Sequence, residues 1–105
     1  MSDHTAPALP SSFEAAIAHL RSVIAERRSA SPETSYVAKL LERGVDLIGK
    51  KIGEEAVEVV IAAKNADRNE LVWEVADLFF HTLVLLEATG VTLDEVGGEL
   101  LRRSR

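Results

Sequence analysis

The residues of this chain best suited to chemistry are carboxylates. Glu54, Glu55 and Glu58 are three and four positions apart, and Glu74 and Asp77 are three apart, the spacings of neighbours on one helical face. Alone, the 54–58 acids would read as solvated helix surface, as most acidic residues are. Glu74 and Asp77 differ, because the only ionisable residues from 71 to 86 are Glu74, Asp77 and His81. Carboxylates gathered between apolar helix faces repel one another and lose hydration, a cost that protonation or a cation must offset. A hard divalent cation resolves that conflict. With no cysteine and no pair of nearby histidines, an oxygen-only donor set favours Mg²⁺ or Mn²⁺ over zinc. Magnesium held by carboxylates keeps positions open for water and phosphate oxygens, so the pattern points to a phosphate-containing substrate. His81 is either a donor facing the ligand or a hydrogen-bonded structural histidine. A di-iron centre is disfavoured, since none of His4, His19 and His81 has a glutamate three positions before it.

These acids must be positioned by helices. Glu70, Glu74, Asp77 and His81 fall within an arc of about 60° on a helix of 3.6 residues per turn, and Glu54, Glu55 and Glu58 within about 100°. Two antiparallel helices joined by a short connection over 65–69 bring both sets to matching height: Glu58 lies nine residues before Asp67, and Glu74 to Asp77 seven to ten after it. Elsewhere the periodicity predicts a first helix opened by a Ser11/Glu14 capping box and ending near Arg28. A short second helix runs from about Ser35 to a stop at Gly44. The third runs from Val45 to about Ala63 with Val45, Ile48, Ile52, Ala56, Val59 and Ala63 on one stripe, and Gly49 and Gly53 mark a place for a kink. Asn69 is the expected cap of the fourth helix and Gly90 its end; Thr92 and Glu95 open a last helix. No run of period two is present, and the chain reads as all-α, an antiparallel bundle of four to five helices. Residues 1–12 read as a flexible leader and 13–105 as one domain.

Composition narrows the function classes. The chain has 105 residues, 47% of them hydrophobic, which suits one globular domain and excludes a large multidomain enzyme. Residues 54–77 hold seven acids and two bases, so the whole net charge of −5 lies within that segment. Such a face repels phosphate unless a cation intervenes, which disfavours nucleic acid as a partner. The fourth helix carries more apolar surface than one neighbour can cover, yet its two carboxylates and short apolar run argue against a membrane span; it belongs at a bundle centre or a subunit interface. The lack of cysteine and of an export signal at the start fits the cytoplasm.

The pattern Glu-Glu-x-x-Glu at 54–58 followed by Glu-x-x-Asp at 74–77 resembles the all-α NTP pyrophosphohydrolase (MazG-like) superfamily. The stretches Ser-Tyr-Val-Ala-Lys-Leu-Leu at 35–41, Lys-Lys-Ile-Gly-Glu-Glu-Ala-Val-Glu at 50–58 and Asp-Leu-Phe-Phe-His at 77–81 are similar more closely to the phosphoribosyl-ATP pyrophosphohydrolase family. This resemblance implies hydrolysis of 1-(5-phosphoribosyl)-ATP to 1-(5-phosphoribosyl)-AMP and pyrophosphate, the second step of histidine biosynthesis. It also implies Mg²⁺ as cofactor, with Mn²⁺ a substitute. The implied ligands are Glu55, Glu58, Glu74 and Asp77, with Glu54 a further ligand or the base that orients water. Lys39, Arg43, Lys50, Lys51 and Lys64 are candidates to hold the substrate's phosphates, and Tyr36 and His81 to donate hydrogen bonds to it. The resemblance further implies a homodimer through the central helices, and without cysteine for a fused zinc-dependent cyclohydrolase the chain is expected to be the stand-alone form. Two other readings stand beside it: a housekeeping nucleotide pyrophosphohydrolase acting on a substrate such as dCTP or dUTP through the same metal site, and a non-catalytic helical dimerisation module.

Overall fold

The computed structural model describes residues 12–104, so the leader expected over 1–12, apart from Ser12, and with it the expected cap Ser11, lies outside the described residues. Within them the chain forms five helices and no strand: α1 (Phe13–Arg27), α2 (Tyr36–Arg43), α3 (Val45–Lys64), α4 (Arg68–Thr89) and α5 (Leu93–Arg103). None is long and apolar enough to cross a membrane.

Local chemistry explains most boundaries. Ser12, in extended conformation, accepts the Ala15 N–H at 3.1 Å, which places Glu14 at the second helical position rather than in a capping box. Ser35 caps α2 through the Ala38 N–H. Gly44, at φ +88°, both ends α2 and starts α3, a conformation that a Cβ would oppose. Thr92 and Glu95 form the expected capping box, and Gly90 ends α4 in the left-handed region. Neither Gly49 nor Gly53 interrupts α3, which is a continuous 20-residue helix.

The connection between α3 and α4 is shorter than the spacing predicts. After Lys64 the Ala66 N–H bonds the Ala63 carbonyl at 3.1 Å and the Asp67 N–H reaches back to the Ala62 carbonyl at 3.2 Å, the two bonds of a Schellman turn. The turn leaves Asp67 extended and its carboxylate accepts the Glu70 N–H at 3.1 Å, so Asp67 caps α4 and Asn69 lies inside the helix. Ala66 occupies the left-handed position at φ +56°, where glycine is the unstrained residue.

Ile24, Val37, Leu40, Ile48, Leu83 and Val84 form one buried cluster where α1, α2, the start of α3 and the C-terminal half of α4 meet. Arg28 clasps the end of α4, donating to the Glu87 carboxylate at 2.6 Å and to its carbonyl at 3.2 Å. Beyond this core α3 and α4 continue as a two-helix arm. Between residue 49 and residue 80 only Ala62 is buried, and Val57, Val60, Val72 and Trp73 are each more than half exposed. Of the stripe predicted along α3, only Ile48 is buried. The radius of gyration of 15.5 Å, against about 13 Å for a compact chain of this length, reflects that extended arm.

Relieving the strain at Ala66 should stabilise the hairpin. Ala66→Gly is expected to raise unfolding stability by about 0.5–1 kcal/mol in denaturant titration, and Ala66→Val to lower it, from the cost of a Cβ in the left-handed region. An Ala66→Gly protein less stable than the parent would refute this reading of the turn.

Candidate metal centre

The arm carries the acids. The Schellman turn folds α4 back along α3, and these two helices make the most extensive contact in the molecule. One carboxylate oxygen from each of Glu55, Glu74 and Asp77 lies within 4.8 Å of the others, with Glu55 and Glu74 half buried and Asp77 exposed. Of the five acids singled out in the sequence, these three converge. Glu58 stands outside that group, although its charge is felt by both Glu74 and Glu70. Glu54 is exposed and faces the Lys51 ammonium at 3.9 Å.

The electrostatics of the cluster follow from this crowding. A carboxyl–carboxyl hydrogen bond with Glu55, then partial loss of solvent, then the charges of Glu55, Glu58 and Asp77 raise the Glu74 pKa above its ordinary value. Glu70 is raised as well, first by desolvation and then by the charges of Glu74 and Asp67 and a hydrogen bond with Glu74. Sequence reasoning placed Glu70 on the polar stripe but not in the site; its position one turn before Glu74 was the available signal. Both shifts run in the direction expected of carboxylates crowded without a compensating positive charge.

Among the described residues no basic candidate forms an ion pair with Glu55, Glu74 or Asp77. Lys39, Arg43, Lys50 and Lys64 are exposed and form no ion pair among the described residues. Lys39 and Arg43, one turn apart on α2, line an open polar cavity of about 500 Å³ with Ser31, Glu33 and Glu42.

Tyr36 and His81 are bonded to each other. The Tyr36 hydroxyl lies 2.8 Å from His81 Nε2, and His81 Nδ1 lies 2.9 Å from the carbonyl oxygen of Asp77. A carbonyl only accepts, so the neutral ring carries its proton on Nδ1 and receives the Tyr36 O–H at Nε2, an assignment made from the hydrogen-bond network. The ring is 5% exposed, and both its nitrogens are used within the protein. Each His81 ring nitrogen thus faces a partner within the protein.

Comparison with known proteins identifies the family. The family described as phosphoribosyl-ATP pyrophosphohydrolase matches residues 17–104. A phosphoribosyl-ATP pyrophosphatase of Geobacter metallireducens is 57% identical over 81 residues, covering 77% of this chain and 74% of that protein. One of Zymomonas mobilis is 53% identical over 90 residues, covering 86% and 84%. A histidine biosynthesis bifunctional protein of Halalkalibacterium halodurans is 56% identical over 89 residues, but this chain spans only 42% of its length. With Glu55, Glu74 and Asp77 all inside the matched span, this chain belongs to the phosphoribosyl-ATP pyrophosphohydrolase family.

Proposed function

We propose that this chain hydrolyses 1-(5-phosphoribosyl)-ATP to 1-(5-phosphoribosyl)-AMP and pyrophosphate in a Mg²⁺-dependent reaction, the second step of histidine biosynthesis, carried out in the cytoplasm. The observation that carries the proposal is the convergence of Glu55, Glu74 and Asp77 on the arm of a chain whose family is defined by this reaction. The donor set fits the ion. All three candidate ligand atoms are carboxylate oxygens gathered within 4.8 Å of one another, the donor type that Mg²⁺ takes. The raised pKa of Glu74 marks the same site as short of positive charge.

Glu55, Glu74 and Asp77 would hold the ion, with Glu58, whose charge acts on Glu74, as a fourth ligand. When bound, magnesium supplies the charge that lets polyphosphate approach this acidic face and that stabilises the departing pyrophosphate. Glu54, exposed beside the cluster, orients the attacking water. Lys39, Arg43, Lys50, Lys51 and Lys64 hold the phosphate groups as charge-assisted donors.

The arm also supports assembly. Two isolated helices with Val57, Val60, Val72 and Trp73 exposed leave apolar surface that a second arm would cover, giving a four-helix bundle in a homodimer.

Pyrophosphate release should be seen from phosphoribosyl-ATP with Mg²⁺ or Mn²⁺, vanish with chelator, and be far slower from dCTP, dUTP and ATP. Preference for a plain nucleotide would move the chain to the housekeeping class, and no release at all would support the dimerisation module. Asp77→Asn and Glu58→Gln are expected to reduce turnover by at least about 100-fold with helical content intact, in line with the loss of a metal ligand. Near-full activity in either would remove that residue from the ligand set.

Glu74 also sets a pH dependence. Its native pKa is raised, so its contribution to stability is complete below the ordinary glutamate value of 4.5 and is lost as pH rises through the native value. In chelator, Glu74→Gln should therefore match the parent's melting temperature near that acid limit and exceed it at neutral pH, and Mg²⁺ should stabilise the parent alone. A melting-temperature difference that does not change with pH would contradict this. For the assembly, sedimentation should give a dimer for the parent and a monomer for the Val60→Asp, Val72→Asp double variant; a parent that sediments as a monomer would overturn the bundle.

A further inference from the structure

Asp77 is the ligand that depends most on its backbone. Its side chain is one carbon shorter than those of Glu55 and Glu74, so its carboxylate follows the α4 main chain closely, whereas the glutamates adapt by rotation. Magnesium tolerates little departure from octahedral geometry, and a metal constellation works within about 0.5 Å of its productive positions. What fixes the main chain at Asp77 therefore bears on affinity for the ion.

The structure supplies such a device from an element that contributes no carboxylate to the cluster. In a regular helix the Asp77 carbonyl accepts the backbone N–H of residue 81. Here the imidazole of His81 gives that oxygen a second donor, Nδ1–H at 2.9 Å. The ring is itself held by the Tyr36 hydroxyl at 2.8 Å. Tyr36 is the first residue of α2, directly after the Ser35 cap, and its ring stacks on Phe80 at 6.1 Å between centroids. His81 also meets Tyr36 and Phe80 edge-on. Buried at 5% exposure with both nitrogens engaged, the imidazole has no free atom to offer a substrate.

We propose that Tyr36 and His81 are positioning residues, a tie from α2 that fixes the Asp77 backbone and thereby the site's affinity for magnesium, and not ligands of the nucleotide. The inference rests on the metal site argued above.

Calorimetric titration of the full chain with MgCl₂, in the absence of nucleotide, tests it. Tyr36→Phe removes one oxygen and keeps the ring on Phe80, so it should fold. An asparagine amide nitrogen stands near the place of Nδ1 and a glutamine amide near that of Nε2; His81→Asn can thus keep the bond to Asp77, whereas His81→Gln keeps only the reach to Tyr36. Tyr36→Phe and His81→Gln should weaken Mg²⁺ binding on the order of 10-fold, the lower end of what groups orienting a metal ligand contribute, and His81→Asn should recover much of it. At saturating Mg²⁺ the KM for phosphoribosyl-ATP should stay within about 2-fold of the parent, the change in kcat and metal affinity being the larger effect. A raised KM with unchanged Mg²⁺ affinity would overturn the inference in favour of direct substrate contact. A lowered melting temperature with both constants unchanged would overturn it in favour of a purely structural bond. If the unsubstituted protein bound Mg²⁺ no better than Glu74→Gln, the metal site itself would fall, and this inference with it.

Discussion

The mutual repulsion of acids held in one helical seam is the constraint around which this molecule is arranged. Glu55, Glu74 and Asp77 are brought together by packing α3 against α4, and that crowding raises the Glu74 pKa above its ordinary value. Crowded carboxylates of this kind cost stability unless a proton or a cation offsets their charge. The supporting parts follow from it. The Schellman turn at Ala66 sets the height of one helix against the other, and the Tyr36–His81 pair meets the Asp77 carbonyl.

The core and the site occupy different halves of the protein. Apolar side chains from α1, α2, the start of α3 and the second half of α4 close around Leu40, Ile48 and Val84, where the fold derives most of its burial. The acids lie on the arm beyond, where each helix is covered on one side only. This separation lets the arm carry charge that a closed hydrophobic core would exclude, because partial exposure keeps the hydration cost of each carboxylate moderate.

Much of this was legible in the sequence because the signals were local. Ser35, Gly44, Gly90 and the Thr92/Glu95 box each fix a helix end through bonds made within a few residues, and each lies where its type predicts. The pairing of 54–58 with 74–77 was legible as well, since helical rise and a short link dictate it. What local patterning missed involves competition or distant partners. Ser12 and Asp67 do the capping expected of Ser11 and Asn69; Asp67 does so because the turn at Ala66 delivers it extended. The stripe predicted along α3 is mostly uncovered, because periodicity marks an apolar face without saying whether the same chain supplies its cover. The pairing of His81 with Tyr36 was likewise illegible, because its partner hydroxyl lies 45 residues away on another helix.

The tightness of the link between α3 and α4 has a consequence for how the chain can vary. One residue inserted anywhere between Glu55 and Asp77 within a helix turns everything downstream by about 100° and advances it about 1.5 Å, enough to swing one acid off the seam. The turn has no slack to absorb such a shift, since its two backbone bonds and the cap at Asp67 use consecutive residues. Side chains of this stretch outside the acids can be exchanged one at a time, but its residue count is a fixed gauge length: 22 steps separate Glu55 from Asp77, and 21 or 23 would part their carboxylates.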